Sequence, residues 1–140
     1  MILLDTNVLS ELMSTNPSPA VLGWMSKQRF ADILYISAVT LGEILYGIEL
    51  LPAGKRREGL LHEAEAMFQE DFATRILPFD DAAARFFAKI AAARRLRGRP
   101  ISDPDAQIAS VARVHRATLA TRNAADFEGC GVALVNPWRD

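Results

Sequence analysis

A short apolar run that stops on an acid constrains this chain more than any other feature: Ile2-Leu3-Leu4 leads into Asp5, then into Thr6-Asn7, then back into an apolar pattern. An unbroken apolar run of this kind marks a strand buried on both faces, as in a parallel sheet. Thr6 or Asn7 can open a helix behind it, because a short polar side chain accepts from the free N–H groups of a first turn. Asp5 thus falls at the carboxyl end of an expected central strand, where open α/β sheets bind their ligands. An acid there is either a site residue or a helix cap, and Asp5 alone does not decide between them.

The rest of the chain repeats the pattern. Helical spacing over 8–13 ends at Asn16-Pro17-Ser18-Pro19 and resumes over 20–27, with Val21, Trp24 and Met25 on one side. Ile33-Leu34-Tyr35-Ile36 is a second strand. The helix over 39–51 is apolar nearly all round and is expected to be buried on more than one face. A third helical stretch covers 54–71, and 75–79 is a short strand that tolerates Pro78 only at its end or at an edge. Asp80 or Asp81 caps a helix reaching Leu96, closed by Gly98. A helix over 102–115 and strands over 118–121 and 132–135 complete the chain. Strands alternating with helices predict a single α/β domain over 1–140, with a mostly parallel central sheet of about five strands between helical layers.

The totals exclude several classes. At 140 residues the chain is one domain's worth, and a net charge of −1 means that any nucleic-acid contact must come from a local patch. The single Cys130, with only His62 and His115, excludes a disulfide framework and a Cys-based zinc site. A bound metal would have oxygen ligands, which points to Mg²⁺ or Mn²⁺. No apolar run reaches the ~18 residues of a membrane span. Asp5 interrupts the first run too early for a signal peptide, so the expected location is the cytoplasm.

Glu43 shares a helical face with Val39, Tyr46 and Leu50, an acid on an apolar surface. Thr40-x-x-Glu43 also has capping-box spacing. Asp103-Pro104 reads as an N-cap followed by proline at the first helical position, which leaves Asp105 free for chemistry unless both acids simply complement the helix dipole. Asn123 and Asp126 follow the 118–121 strand, with an Asx turn as their structural alternative. Each acid has a structural explanation when taken alone. Together, three or four oxygens converging at one edge of a parallel sheet would make a hard-cation site.

Four segments in this order, Leu3-Leu4-Asp5-Thr6-Asn7, the helix around Glu43, Asp105-Ala106-Gln107-Ile108-Ala109 and Thr121-Arg122-Asn123-x-x-Asp126-Phe127, resemble the PIN domain over essentially the whole chain. The closing Gly129-x-Gly131-Val132 and Val135-Asn136-Pro137-Trp138 look like bacterial toxins of the VapC/FitB type. The resemblance implies that Asp5, Glu43 and Asp105 are catalytic metal ligands, with Thr6 as an orienting hydroxyl. Many relatives carry an acid where this chain has Asn123, so Asp126 is taken as the fourth ligand and Asn123 as the supporting residue. The activity implied is Mg²⁺- or Mn²⁺-dependent endoribonuclease hydrolysis of single-stranded or looped RNA, without a covalent intermediate. The role implied is the toxin of a type II toxin–antitoxin pair. Its partners would be a cognate antitoxin blocking the acids, a second copy joined through the helices over 39–51 and 81–96, and higher-order toxin–antitoxin assemblies.

Two basic clusters remain, Lys55-Arg56-Arg57 and Arg94, Arg95, Arg97 and Arg99. The second is either a solvated helix end or an RNA-backbone contact. Trp24, Phe86, Phe87 and Trp138 are expected in the core or a dimer interface rather than as base-stacking platforms, and His62, Cys130 and Glu11 are read as structural. A phosphatase of the haloacid-dehalogenase type would need a second acid two residues after Asp5, where this chain has Asn7. An inactive PIN fold serving as an interaction module is disfavoured by the presence of three of the acids.

Overall fold

Each apolar run becomes a strand of one parallel sheet in the computed structural model, which describes residues 1–28 and 34–140. The elements run β1 (Ile2–Leu4), α1 (Thr6–Leu12), α2 (Pro19–Gln28), β2 (Leu34–Ser37), α3 (Ala38–Glu49), α4 (Lys55–Glu70), β3 (Ile76–Leu77), α5 (Asp81–Leu96), α6 (Asp103–His115), β4 (Thr118–Ala120), a one-turn 3-10 helix (Ala124–Phe127) and β5 (Ala133–Val135). The strand order is β3-β2-β1-β4-β5, and every neighbouring pair is parallel. Ile33, expected to begin the second strand, lies outside the described residues.

The period-2 alternation of strands divides the core into two layers. Leu3 and Leu119 pack with Ala83 and Ile90 of α5 and with Ile108 and Val111 of α6. Their neighbours Leu4 and Ala120 turn to the other face, against Val8, Val21, Ile44, Ala64 and Phe68 of α1 to α4. The result is the α/β/α sandwich expected from the sequence. Leu3 and Leu4 have no exposed surface, so each contributes roughly 1.5–3 kcal/mol by burial. This is what holds the end of β1 still.

The topology places the site. From β1 the chain builds outward through β2 to β3, then returns across the sheet to β4 on the other side of β1. The order therefore reverses between β1 and β4, which pair in register at Leu3–Leu119 and Leu4–Ala120. A crevice opens beyond the carboxyl ends of such strands. Asp5 and Thr121 are the first residues past them.

Two expectations are corrected. The strand over 75–79 shrinks to Ile76–Leu77, because β3 is an edge strand and Pro78 has no N–H to extend the ladder. The helix α3 is fully buried along one face, through Thr40, Ile44 and Ile48, with Val39, Leu41 and Leu45 half-buried against the two core layers. The rest of its expected burial is absent, with Tyr46 66% exposed and Leu50, just past its end, 68% exposed.

Candidate functional site

Asp5 is a helix cap buried at the end of a strand. Its backbone N–H extends the β1–β4 ladder to Ala120 O (2.9 Å), and its carboxylate caps α1 by accepting from Thr6 N at 2.8 Å. The cap is thus Asp5 rather than Thr6 or Asn7. Its other oxygen accepts from Thr121 Oγ1 at 2.7 Å. Burial pushes the carboxyl up to about 6; the bonds from Thr121 and Thr6 oppose this, and the charges of Asp105 and Glu43 add to it. A cap needs none of that cost, because an exposed carboxylate caps a helix equally well.

Thr121 is the positioning residue that sequence reasoning did not single out. It is fully buried. Besides donating to Asp5, it accepts from Asn7 Nδ2 (3.3 Å) and from Asn123 N (3.1 Å), tying the ends of β1 and β4 together. Its signal was available by symmetry, since it follows β4 as Asp5 follows β1.

The capping box at Thr40 does not form. The helix α3 begins one turn earlier, capped by Ser37 Oγ, which accepts from Thr40 N at 3.1 Å. Glu43 is therefore left free of the backbone, and its carboxylate accepts from Thr6 Oγ1 at 2.7 Å. The Thr6 hydroxyl also lies 3.1 Å from Thr40 Oγ1, so a chain of hydroxyls holds Glu43 to the start of α1. A similar shift occurs at α6, where Ser102, and not Asp103, is the cap. Asp103 is exposed in the first turn, while Asp105 is half-buried and its N–H donates to Ser102 Oγ at 3.3 Å. Burial raises the Asp105 carboxyl; its bond with Ser102 opposes this, Glu43 and Asp126 raise it further, and Arg94 lowers it.

Asp5, Thr6, Asn7, Glu43, Asp105 and Asn123 line one cleft of about 480 Å³, together with Glu11, Arg122 and Trp138. Five chain segments thus meet at the reversal of strand order. Asp126 does not line the cleft. It is exposed on the 3-10 helix, where its charge acts on Asp105. Glu11, read as structural, is a cleft residue whose Oε1 accepts from Ser18 N at 3.3 Å.

The donors offered are carboxylate, hydroxyl and amide oxygens, with no Cys or His among the described residues of the lining, which fits a hard dication rather than zinc. Among the described residues, no three carboxylate, His or Cys side chains are gathered closely enough to hold an ion between them. Asp5 is held by a backbone N–H and a hydroxyl of the protein, and Glu43 by a hydroxyl.

Arg94 is neither a solvated helix end nor a phosphate contact, because it is only 5% exposed. Its guanidinium donates to the carbonyls of Arg99 (2.7 Å), Asp126 (2.7 Å) and Glu128 (3.1 Å), fastening the end of α5 to the loop beneath the site. Of its neighbours, Arg95 is exposed, Arg97 donates to Gly129 O and Arg99 pairs with Glu128. Asn7, where a dehalogenase-type phosphatase would need its proton donor, uses its amide to bridge Thr121 and the N–H of Arg122. Trp138 packs against the core layer of Leu4 and Ala120, as expected, and also lines the cleft, with the Arg122 guanidinium 5.1 Å above its ring.

Residues 2–128 match the PIN domain family. The chain is 41% identical over 138 residues to the VapC ribonuclease Y4jK of Sinorhizobium fredii, covering 99% of this chain and 98% of that one. It is 39% identical over 140 residues to the toxin FitB of Neisseria gonorrhoeae, covering all of both. The crystal structure of FitAcB from Neisseria gonorrhoeae superposes with a TM-score of 0.92 at 38% identity, again over the whole of both chains.

Proposed function

The chain belongs to the PIN-domain family, in its VapC/FitB toxin branch, and from that premise we propose that it is a Mg²⁺- or Mn²⁺-dependent endoribonuclease, the toxin of a toxin–antitoxin pair. The observation that carries this is the convergence of Asp5, Glu43 and Asp105 from three separate elements on one cleft at the β1/β4 reversal. The domain is taken to span 1–140, since β5 beyond the matched segment pairs with β4.

In this reading Asp5, Glu43 and Asp105 hold the dication, and Asp126 adds the fourth negative charge from beside Asp105 with Asn123 supporting it. A bound Mg²⁺ or Mn²⁺ supplies a positive centre that acidifies water and stabilises charge on the phosphodiester as it is displaced. The protein's contribution is preorganisation. Thr121 and the α1 N-terminus fix Asp5, and Thr6 fixes Glu43, so both carboxylates are aimed before any ligand arrives. Asp5, held near 6, is readily relieved of its unfavourable charge by a neighbouring cation.

A cognate antitoxin is the proposed protein partner. A groove of about 1400 Å³ between α1, α2, α3 and α4, lined by Met13, Met25, Ile44 and Ile48, meets the acid cleft at Ser10 and Glu43. A segment laid along it would reach the acids. A second copy is the other proposed partner, through Tyr46 of α3, Leu50 just past its end and Leu96 of α5, all exposed. Among the described residues no helix is long and apolar enough to cross a membrane; the proposed place of action is the cytoplasm.

The test is cleavage of a single-stranded oligoribonucleotide. Wild type cleaves with Mg²⁺ or Mn²⁺, stops in EDTA, and Asp5→Asn abolishes activity while the chain stays folded. Undiminished cleavage in EDTA, or by the variant, would overturn the assignment.

A further inference from the structure

Among the described residues lining the acid cleft, four are acids (Asp5, Glu11, Glu43 and Asp105) and one is a cation, Arg122. A flexible arginine beside four carboxylates would be expected to fold onto one of them, since that pairing is the strongest attraction within reach. Arg122 makes no such ion pair among the described residues. Its guanidinium lies instead over the Trp138 ring, 5.1 Å from the centroid. Stacking keeps the planar fork in one orientation and its N–H donors free.

The backbone around this pair is built to hold it. The Arg122 N–H donates to Asn7 Oδ1 at 3.3 Å, and its carbonyl accepts from Asn136 Nδ2 at 3.4 Å. The same Asn136 accepts from Trp138 N through Oδ1 at 2.9 Å. One side chain thus ties the arginine and its aromatic support together at the lip of the cleft. Asn7, on the other side, belongs to the network that fixes Thr121 and, through it, Asp5.

We propose that Arg122, held on Trp138, binds the RNA phosphate adjoining the scissile one and so sets the register of the strand against the acids. Trp138 is a positioning residue, keeping the guanidinium from collapsing onto the carboxylates. The inference rests on the ribonuclease reading. It adds a cationic contact to a cleft whose net charge would otherwise repel its substrate, and it moves the search for phosphate contacts away from the arginines at the end of α5.

The experiment is steady-state cleavage of a short labelled single-stranded oligoribonucleotide by the full chain in Mg²⁺, repeated across a range of KCl. Arg122→Gln is expected to raise KM about tenfold with kcat little changed, and to flatten the fall of log(kcat/KM) with log salt by about 0.7, the share of one phosphate contact on a single strand. Arg122→Lys keeps the charge and hence the salt slope, with KM between the two. Trp138→Ala raises KM and Trp138→Phe restores it, both with the wild-type salt slope. A merely structural role would not move the slope. Wild-type KM and slope in Arg122→Gln, alongside active wild type, would overturn the Arg122 assignment and leave the ribonuclease reading standing. Absence of cleavage by the wild-type chain would overturn both.

Discussion

Replacing Asp5 with Asn removes a charge while keeping almost all of the shape, so its effect on stability isolates the cost of the buried carboxylate. The carboxyl is held at about 6 against an ordinary value of 3.8. At neutral pH that difference is roughly 3 kcal/mol by which ionised Asp5 destabilises the metal-free fold. Asparagine keeps an acceptor for Thr6 N but turns an amide toward Thr121 Oγ1, whose lone pairs already serve Asn7 and Asn123. The lost bond costs about 1 kcal/mol. The variant should therefore be more stable than wild type at pH 8 by roughly 2 kcal/mol in EDTA, the difference of those two effects. The sign depends on pH. An acid whose folded pKa exceeds its unfolded value binds more protons when folded, so wild-type stability falls as pH rises from about 4 to about 6 and levels off above. At pH 4 the advantage should vanish and the variant should be slightly the weaker. Urea unfolding of both proteins at pH 4 and pH 8, in EDTA, reads this directly. A variant less stable than wild type at pH 8, or a difference independent of pH, would refute the reasoning.

Other residues carry sharper, more local consequences. Thr6→Val keeps the shape but frees Glu43 from its 2.7 Å bond, and should slow cleavage about ten- to a hundredfold with Thr6→Ser largely preserving it; equal rates in all three would remove Thr6 from the site. Arg94→Met strands the carbonyls of Arg99, Asp126 and Glu128 in the interior and should cost about 3 kcal/mol in a denaturant titration, while leaving the salt dependence of RNA cleavage unchanged. A change under about 0.5 kcal/mol would show that the buried guanidinium is not structural. Asp126→Asn should weaken Mn²⁺ binding more than Asn123→Ala, since it removes a charge acting on Asp105 rather than a neutral amide. The reverse order in a calorimetric titration would give the fourth position to Asn123.

The parallel sheet was legible because a strand buried on both faces leaves little choice of residue, as at Leu3-Leu4. The acids were legible for a related reason, since strand ends and helix starts announce where they point. Caps were less so. Ser37 competes with Thr40, and Ser102 with Asp103, for the same orphan N–H groups, and the winner depends on where the extended backbone gives way to helix. Exposure was illegible where a partner surface is lacking: the periodicity around α3 does not say that nothing among the described residues covers Tyr46 and Leu50. Arg94 failed for want of a distant element. Its last-turn position suggests a solvated end, but the loop that buries it is supplied by residues 126–130, a whole helix and strand later. Gly129, at φ 76, sits against that same region, where a Cβ would stand 2.6 Å from Arg97 Nη2. The pairing of Arg122 with Trp138 was illegible, because neither is an acid and only the folded chain sets them face to face.

The most direct measurement is Mn²⁺ binding to the purified chain, followed by calorimetry or paramagnetic resonance near pH 6. If Asp5, Glu43 and Asp105 act as one dication site, wild type binds Mn²⁺ saturably and releases protons as Asp5 ionises, while Asp5→Asn and Asp105→Asn each weaken binding about tenfold or more and the Asp5 variant releases fewer protons. Equal affinity in wild type and both variants would contradict the shared site.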